Sequence, residues 1–212
     1  MGTEIVSRRT TLFTVGSGLL LLLVLTGCSL SLPPLGISGK YRVARDNLIK
    51  PRGMGVAKAI PLLEEVAAKD PTYEDSLTLL GRSYYAQGRY REALQITQRA
   101  LVVNKDDGIA WLVLGMAQLR LGDNQKGLQS FKGGLAILNK VAVNGYQGYY
   151  TYDKNGLVRA AIRRAIFNVN KTGLENKDSL IRSGELILSR MDDEELFQRG
   201  DKMVKEQTEH LE

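Results

Sequence analysis

The sequence predicts an all-α chain made of antiparallel helix pairs that stack on one another. The first observation is a fixed offset of 34 residues. Leu80-Gly81 returns as Leu114-Gly115, Gly88 as Gly122, Leu94 as Leu128 and Leu101 as Leu135. A constant period of this length marks an array of small supersecondary units. The second is helical spacing within each unit, where Leu77, Leu80 and Tyr84 make one stripe and Leu94, Thr97 and Leu101 another. The third is composition. Hydrophobic residues make up 43% of the chain but aromatics only 7%, so Leu, Ile, Val and Ala must fill the core. That suits helices better than a β-sandwich.

The first 27 residues read as an export signal. Arg8 and Arg9 precede an apolar stretch at 12–25 that includes five consecutive leucines, Leu19 to Leu23. A positive start followed by a short apolar run is the layout of a secretory signal. Fourteen helical residues rise about 21 Å at ~1.5 Å each, short of a hydrocarbon core of about 30 Å. A permanent transmembrane helix is therefore the weaker reading.

The run ends in Leu25-Thr26-Gly27-Cys28, which resembles the bacterial lipobox. The resemblance implies cleavage after Gly27 and diacylglycerol on the sulfur of Cys28, which becomes the new N-terminus. More than one acyl chain is needed for stable anchoring. Ser29 is not the Asp that resembles an inner-membrane retention signal, so the periplasmic leaflet of the outer membrane is expected in a diderm host. In a monoderm host the same lipid would leave the protein on the outer face of the only membrane. Residues 28–39 are rich in Pro, Gly and Ser and read as a lipidated tether.

The body, 40–141, divides into a degenerate unit at 40–73 and full units at 74–107 and 108–141. Leu77, Leu80, Gly81, Tyr84, Gly88, Tyr90, Ala93 and Ala100 mark the first full unit. Trp111, Leu114, Gly115, Gly122, Gly127 and Phe131 mark the next. These residues, and Trp111-x-x-Leu114-Gly115 above all, resemble the tetratricopeptide repeat. The resemblance implies a right-handed superhelix of antiparallel helix pairs. Gly81 and Gly115 are expected where paired helices touch, and Gly88 and Gly122 where a first helix ends with φ > 0. Gln118, Asn124 and Gly134 replace the family's Tyr, Tyr and Ala, which is expected to weaken packing in the last unit.

The region 142–212 is expected to be helical and to cap the stack, since terminal repeats need a polar outer face. A degenerate further repeat pair is the other reading. Asp153 to Gly156 reads as a turn, and Leu157, Val158, Ala161, Ile162, Ala165, Ile166 and Val169 as a helical stripe. Two more helices are expected, at 177–191 and 193–210. The acids Asp192, Asp193, Glu194 and Glu195 then fall at a helix start, where the dipole favours them. Tyr146, Tyr149, Tyr150 and Tyr152 form a possible secondary binding surface, or else cover a helix junction.

The residue inventory limits the chemistry. With one Cys and one His, an internal disulfide, a Ser-His-Asp triad and a multi-His zinc site are hard to build. No catalytic residue, metal ligand or cofactor is expected apart from the covalent lipid. The net charge of +6 is scattered, densest at Arg159, Arg163 and Arg164. It reads as a soluble helical surface or as a contact for anionic lipid headgroups. Nucleic acid is not an expected partner of an exported chain.

By resemblance to the family, the concave groove is lined by Thr78, Arg82 and Tyr85 and then by Leu112, Met116 and Leu119. Such a groove could take a partner's amphipathic helix or extended peptide, or be covered by this chain's own C-terminal helices. The resulting expectation is a membrane-anchored, non-catalytic protein-interaction adaptor or scaffold of the cell envelope. The alternatives are an envelope enzyme using Asp/Glu acid-base chemistry and a purely structural spacer.

Overall fold

In a computed structural model of the chain, the described residues are 36–49, 55–144, 153 and 156–209, with side chains for all but 141–144 and 201–209. The stretch read as an export signal, Cys28, and Tyr146, Tyr149, Tyr150 and Tyr152 lie outside them. Helices α1 (Ile37–Leu48) and α2 (Val56–Lys69) form one pair, α3 (Ser76–Ala86) and α4 (Tyr90–Val103) the next, and α5 (Gly108–Arg120) and α6 (Asn124–Asn144) a third. Helix α7 (Leu157–Thr172) turns through a 3-10 segment, Gly173–Asn176, into α8 (Lys177–Glu209). No strand occurs among the described residues. The fold is all-α and tetratricopeptide-like. Helix α1 begins at Ile37, inside the stretch read as tether.

The repeat is visible in backbone chemistry as well as in sequence. Gly88 and Gly122 have φ of +74° and +89°. Directly after them, Arg89 N–H donates to Tyr84 O at 2.9 Å and Asp123 N–H to Gln118 O at 3.0 Å. These bonds satisfy carbonyls that a helix end would otherwise leave bare. The turns between pairs repeat too. Asp70 accepts from Thr72 N–H at 2.9 Å, and Asn104 accepts from Asp106 N–H at 3.0 Å.

A recurrent side-chain link joins each pair to the next. The Tyr41 hydroxyl donates to Asp75, at the start of α3. The Thr78 hydroxyl donates to Asp107, at the start of α5. Asp107 uses its other oxygen to cap α5, accepting from Ala110 N–H at 2.8 Å. One carboxylate thus starts a helix and holds the preceding pair against it.

Glycines set the distance between partners within a pair. A Cβ on Gly81 would lie 2.6 Å from Thr97 Cγ2, and one on Gly115 would lie 2.5 Å from Phe131 N. The third pair goes further. A Cβ on Gly127 would meet Leu119 N at 2.9 Å, and one on Gly134 would meet Leu112 N at 2.7 Å. The expected weak packing at Gly134 is therefore reversed. Without a side chain there, α5 and α6 approach backbone to backbone, and Phe131 and Leu135 are buried alongside.

The C-terminal region departs from its reading at one point. Residues 177–209 form a single helix, not two. Nothing between Met191 and Asp193 breaks it, because Asp and Glu are tolerated inside helices and no Pro or Gly intervenes. Asp192 to Glu195 are thus mid-helix: Asp192 and Glu195 are held by Arg82 and Arg45, and Asp193 and Glu194 by Arg190 and Gln198 of the same helix. The side chain of Asn168 on α7 donates to Ser183 on α8 at 3.0 Å, across the turn. Helix α7 and the first half of α8 so make a fourth antiparallel pair.

Candidate functional site: a groove filled by the chain's own helix

The first helices of the pairs, α1, α3 and α5, share the concave face. All six predicted groove residues, Thr78, Arg82, Tyr85, Leu112, Met116 and Leu119, are 7% exposed or less. Of these only Arg82, Tyr85 and Met116 are seen to meet α8, whereas Thr78 bonds Asp107 and Leu112 and Leu119 pack on Gly134 and Gly127 of α6. Of the two readings of this groove, open to a partner or covered by the chain's own C-terminal helices, the structure has the second. Helix α8 lies across it. Two features make this seat possible, a glycine facing the apolar floor and carboxylates facing the basic wall.

The glycine is Gly184. A Cβ there would lie 2.5 Å from Met116 Sδ and 2.9 Å from Phe131 Cε2. Helix α8 therefore rests directly on the third pair. Over the second pair, both carboxylate oxygens of Asp192 accept from Arg82 Nη2, at 2.6 and 2.8 Å. Glu185 accepts from the Tyr85 hydroxyl at 2.8 Å and from Arg120 at 3.1 Å. Over the first pair, Glu195 meets Arg45 at 2.9 Å, and Arg199 bridges Glu195 and Asp46.

The order of these contacts fixes direction. As numbers rise along α8 from 184 to 199, its partners step back from the third pair to the first. Within the second pair, Arg82 meets residue 192 and Tyr85 meets residue 185. Helix α8 therefore runs antiparallel to α3 where they touch. Glu185 and Asp192 are seven residues apart, two turns, so they share one face.

Burial tunes the groups in this seam. Desolvation raises the Asp192 carboxyl above its ordinary value, with the Arg82 guanidinium working against it. Desolvation also pushes the Tyr85 hydroxyl far up, aided by Glu185 and opposed by Arg120. The phenol stays a hydrogen-bond donor to Glu185 across the physiological range.

Beside α8 a cavity of about 500 Å³ remains, lined by Leu48, Ile49, Val56, Arg82, Tyr85 and Asp192 among others. A second, of about 860 Å³, lies between α4 and α6 and is floored by Leu114 and Gln118. Its walls include Leu101, Trp111, Ile137 and Val102, the last 81% exposed. Reading by groove positions missed this surface, although adjacent Val102-Val103 ahead of a turn is an unusual exposure.

Sequence reasoning also missed Arg45, Asp46, Gly184, Glu185 and Arg199. The seven-residue spacing of Glu185 and Asp192 was the available signal. Their partners, 100 and 110 residues earlier, leave no local trace.

No curated protein matches the chain. Among solved structures, the chain is similar to the Sgt2 tetratricopeptide domain from Aspergillus fumigatus, at 21% identity and a TM-score of 0.42, over 62% of this chain and 82% of that one. The family described as Tetratricopeptide repeat matches residues 56–119, which run from the start of α2 to the penultimate residue of α5.

Proposed function

We propose that the chain is a non-catalytic adaptor of the bacterial cell envelope, tethered by lipid on Cys28 and able to receive a helical segment of a partner protein. Tetratricopeptide repeats are protein-interaction modules, and the match at 56–119 supports that coarse reading. The observation that carries the finer one is the seat of α8. A groove that holds a helix through a small residue on Met116 and carboxylates on Arg82 and Tyr85 has the chemistry to hold another of the same pattern. A partner segment enters by exchange with α8 or by filling the cavity beside it. The lipobox-like Leu25 to Cys28 supports the tether, and Ser29 favours the periplasmic leaflet of an outer membrane.

Acid-base catalysis at Asp192 is the second reading, since this carboxyl is raised and faces a cavity. Against it, Arg82 occupies both carboxylate oxygens.

The test is photocrosslinking in native membranes with the full chain, comparing the native sequence with Gly184→Leu, which loosens α8. Capture of specific envelope proteins that rises in the variant supports exchange at the groove. Equal capture moves the adaptor surface elsewhere, with the Val102, Trp111 and Ile137 groove next and the Tyr146 to Tyr152 cluster after it. Capture of nothing specific ends the adaptor reading. The mass of the N-terminal peptide decides the lipid on its own.

A further inference from the structure

Helix α7 has two faces of opposite character. Val158, Ala161, Ile162, Ala165 and Val169 are buried against the stack. The outward face carries Ala160, Arg163, Arg164, Phe167 and Lys171, all exposed. Phe167 is 61% exposed, which is unusual for a large apolar ring on a folded surface.

The spacing surrounds that ring with positive charge. Arg163 and Arg164 stand four and three residues before Phe167, and Lys171 four after, so all three adjoin it on one helix face. Lys171 Nζ is 5.7 Å from the ring centroid. The 16 residues of α7 include no acid. Arg159 is engaged by Asp153 at 3.0 Å. Arg163, Arg164 and Lys171 have no carboxylate partner among the described residues.

We propose that this face of α7 docks on an anionic phospholipid surface, with Phe167 entering the headgroup layer and Arg163, Arg164 and Lys171 pairing with lipid phosphates. An aromatic ring ringed by long cationic side chains has the amphipathic character of an interfacial anchor. Each cation near an anionic leaflet adds a similar increment of attraction. The face is part of a single helix with no counter-charge of its own, so a sheet of phosphates complements it without desolvating any acid. This inference rests on the membrane attachment proposed above, and adds to it a fixed orientation of the repeat stack.

The experiment uses the full chain in vesicles of phosphatidylcholine, with or without phosphatidylglycerol, doped with bromine-labelled acyl chains. Phe167→Trp supplies a reporter indole, and the native chain with Trp111 alone is the baseline. The expected result is quenching of the new indole only with phosphatidylglycerol, reversed by high salt. Adding Arg163→Gln, Arg164→Gln and Lys171→Gln should lower the docked-to-free ratio about fivefold per cation. These side chains are exposed, and circular dichroism checks that the fold is kept.

Emission that is the same in both vesicles overturns the proposal. So does quenching that survives in pure phosphatidylcholine or in the triple variant. A salt-sensitive shift with polyglutamate but none with phosphatidylglycerol overturns it in favour of an acidic protein partner. An unmodified Cys28 mass would remove the tether while leaving the phosphatidylglycerol-dependent quenching as a separate result.

Discussion

Gly184 lies so close to Met116 that a Cβ would come within 2.5 Å of its sulfur. The contact joins the start of the groove-spanning helix to the floor of the groove. Gly184→Leu therefore has no room. The seat should loosen at a cost of about 1–3 kcal/mol from overpacking. Hydrogen exchange should show faster opening of 184–199 with α3 to α6 still protected. Uniform acceleration across the chain would mean that α8 is inseparable from the core.

The Asp192 carboxyl gives a pH signature. Its proton is held more tightly in the folded chain than in the unfolded one, because burial raises it from 3.8. The folded state then binds more protons in the interval above the ordinary value. Stability from this group falls as pH rises through that interval and is level beyond the raised native value. Asp192→Asn removes the slope. Its urea midpoint relative to the native chain should climb as pH rises above about 4 and level off once the native carboxyl is ionised. A constant difference would show that Arg82 cancels the burial effect.

The two inter-helix glycines should respond unequally. A methyl on Gly81 meets the tip of Thr97, whereas one on Gly115 meets the Phe131 backbone. A side chain can yield where a backbone cannot. Gly115→Ala should cost the full ~1–3 kcal/mol of overpacking, and Gly81→Ala less. Denaturant titration of both variants checks the order.

Gly88 and Gly133 both face open space but differ in backbone. Gly88 has φ of +74°, so Gly88→Ala should destabilise by about 1–2 kcal/mol through strain alone. Gly133 lies inside α6, and Gly133→Ala should stabilise by about 0.5–1 kcal/mol through reduced chain entropy. Opposite shifts of the thermal midpoint are the expected outcome.

The helix pairs were legible because the 34-residue offset repeats the same local chemistry: a glycine at each contact, a glycine at each helix end, an Asx turn between pairs. The groove positions came from the resemblance to the family, and of these Arg82, Tyr85 and Met116 meet α8. What covers them was not legible, because Arg82 and Asp192 are paired by tertiary geometry that no local pattern encodes. The acids at 192–195 misled for a related reason. Clustered carboxylates mark a helix start when their partners are backbone amides, and here Asp192 and Glu195 meet arginines from other helices while Asp193 and Glu194 bond side chains of their own helix. Gly134 misled because a missing methyl reads as a void, whereas it allowed a closer approach.

Linear arrays of repeats lose order from their ends, since each unit touches only its neighbours. Helix α8 changes that arithmetic, because residues 184 to 199 reach back from the third pair to Arg45 and Asp46 in the first. The two ends of the array are thereby strapped to one rod. Fraying of the first pair must release the rod, and releasing the rod exposes the middle. An event at either extremity of this short stack is therefore felt along the entire surface that the rod covers.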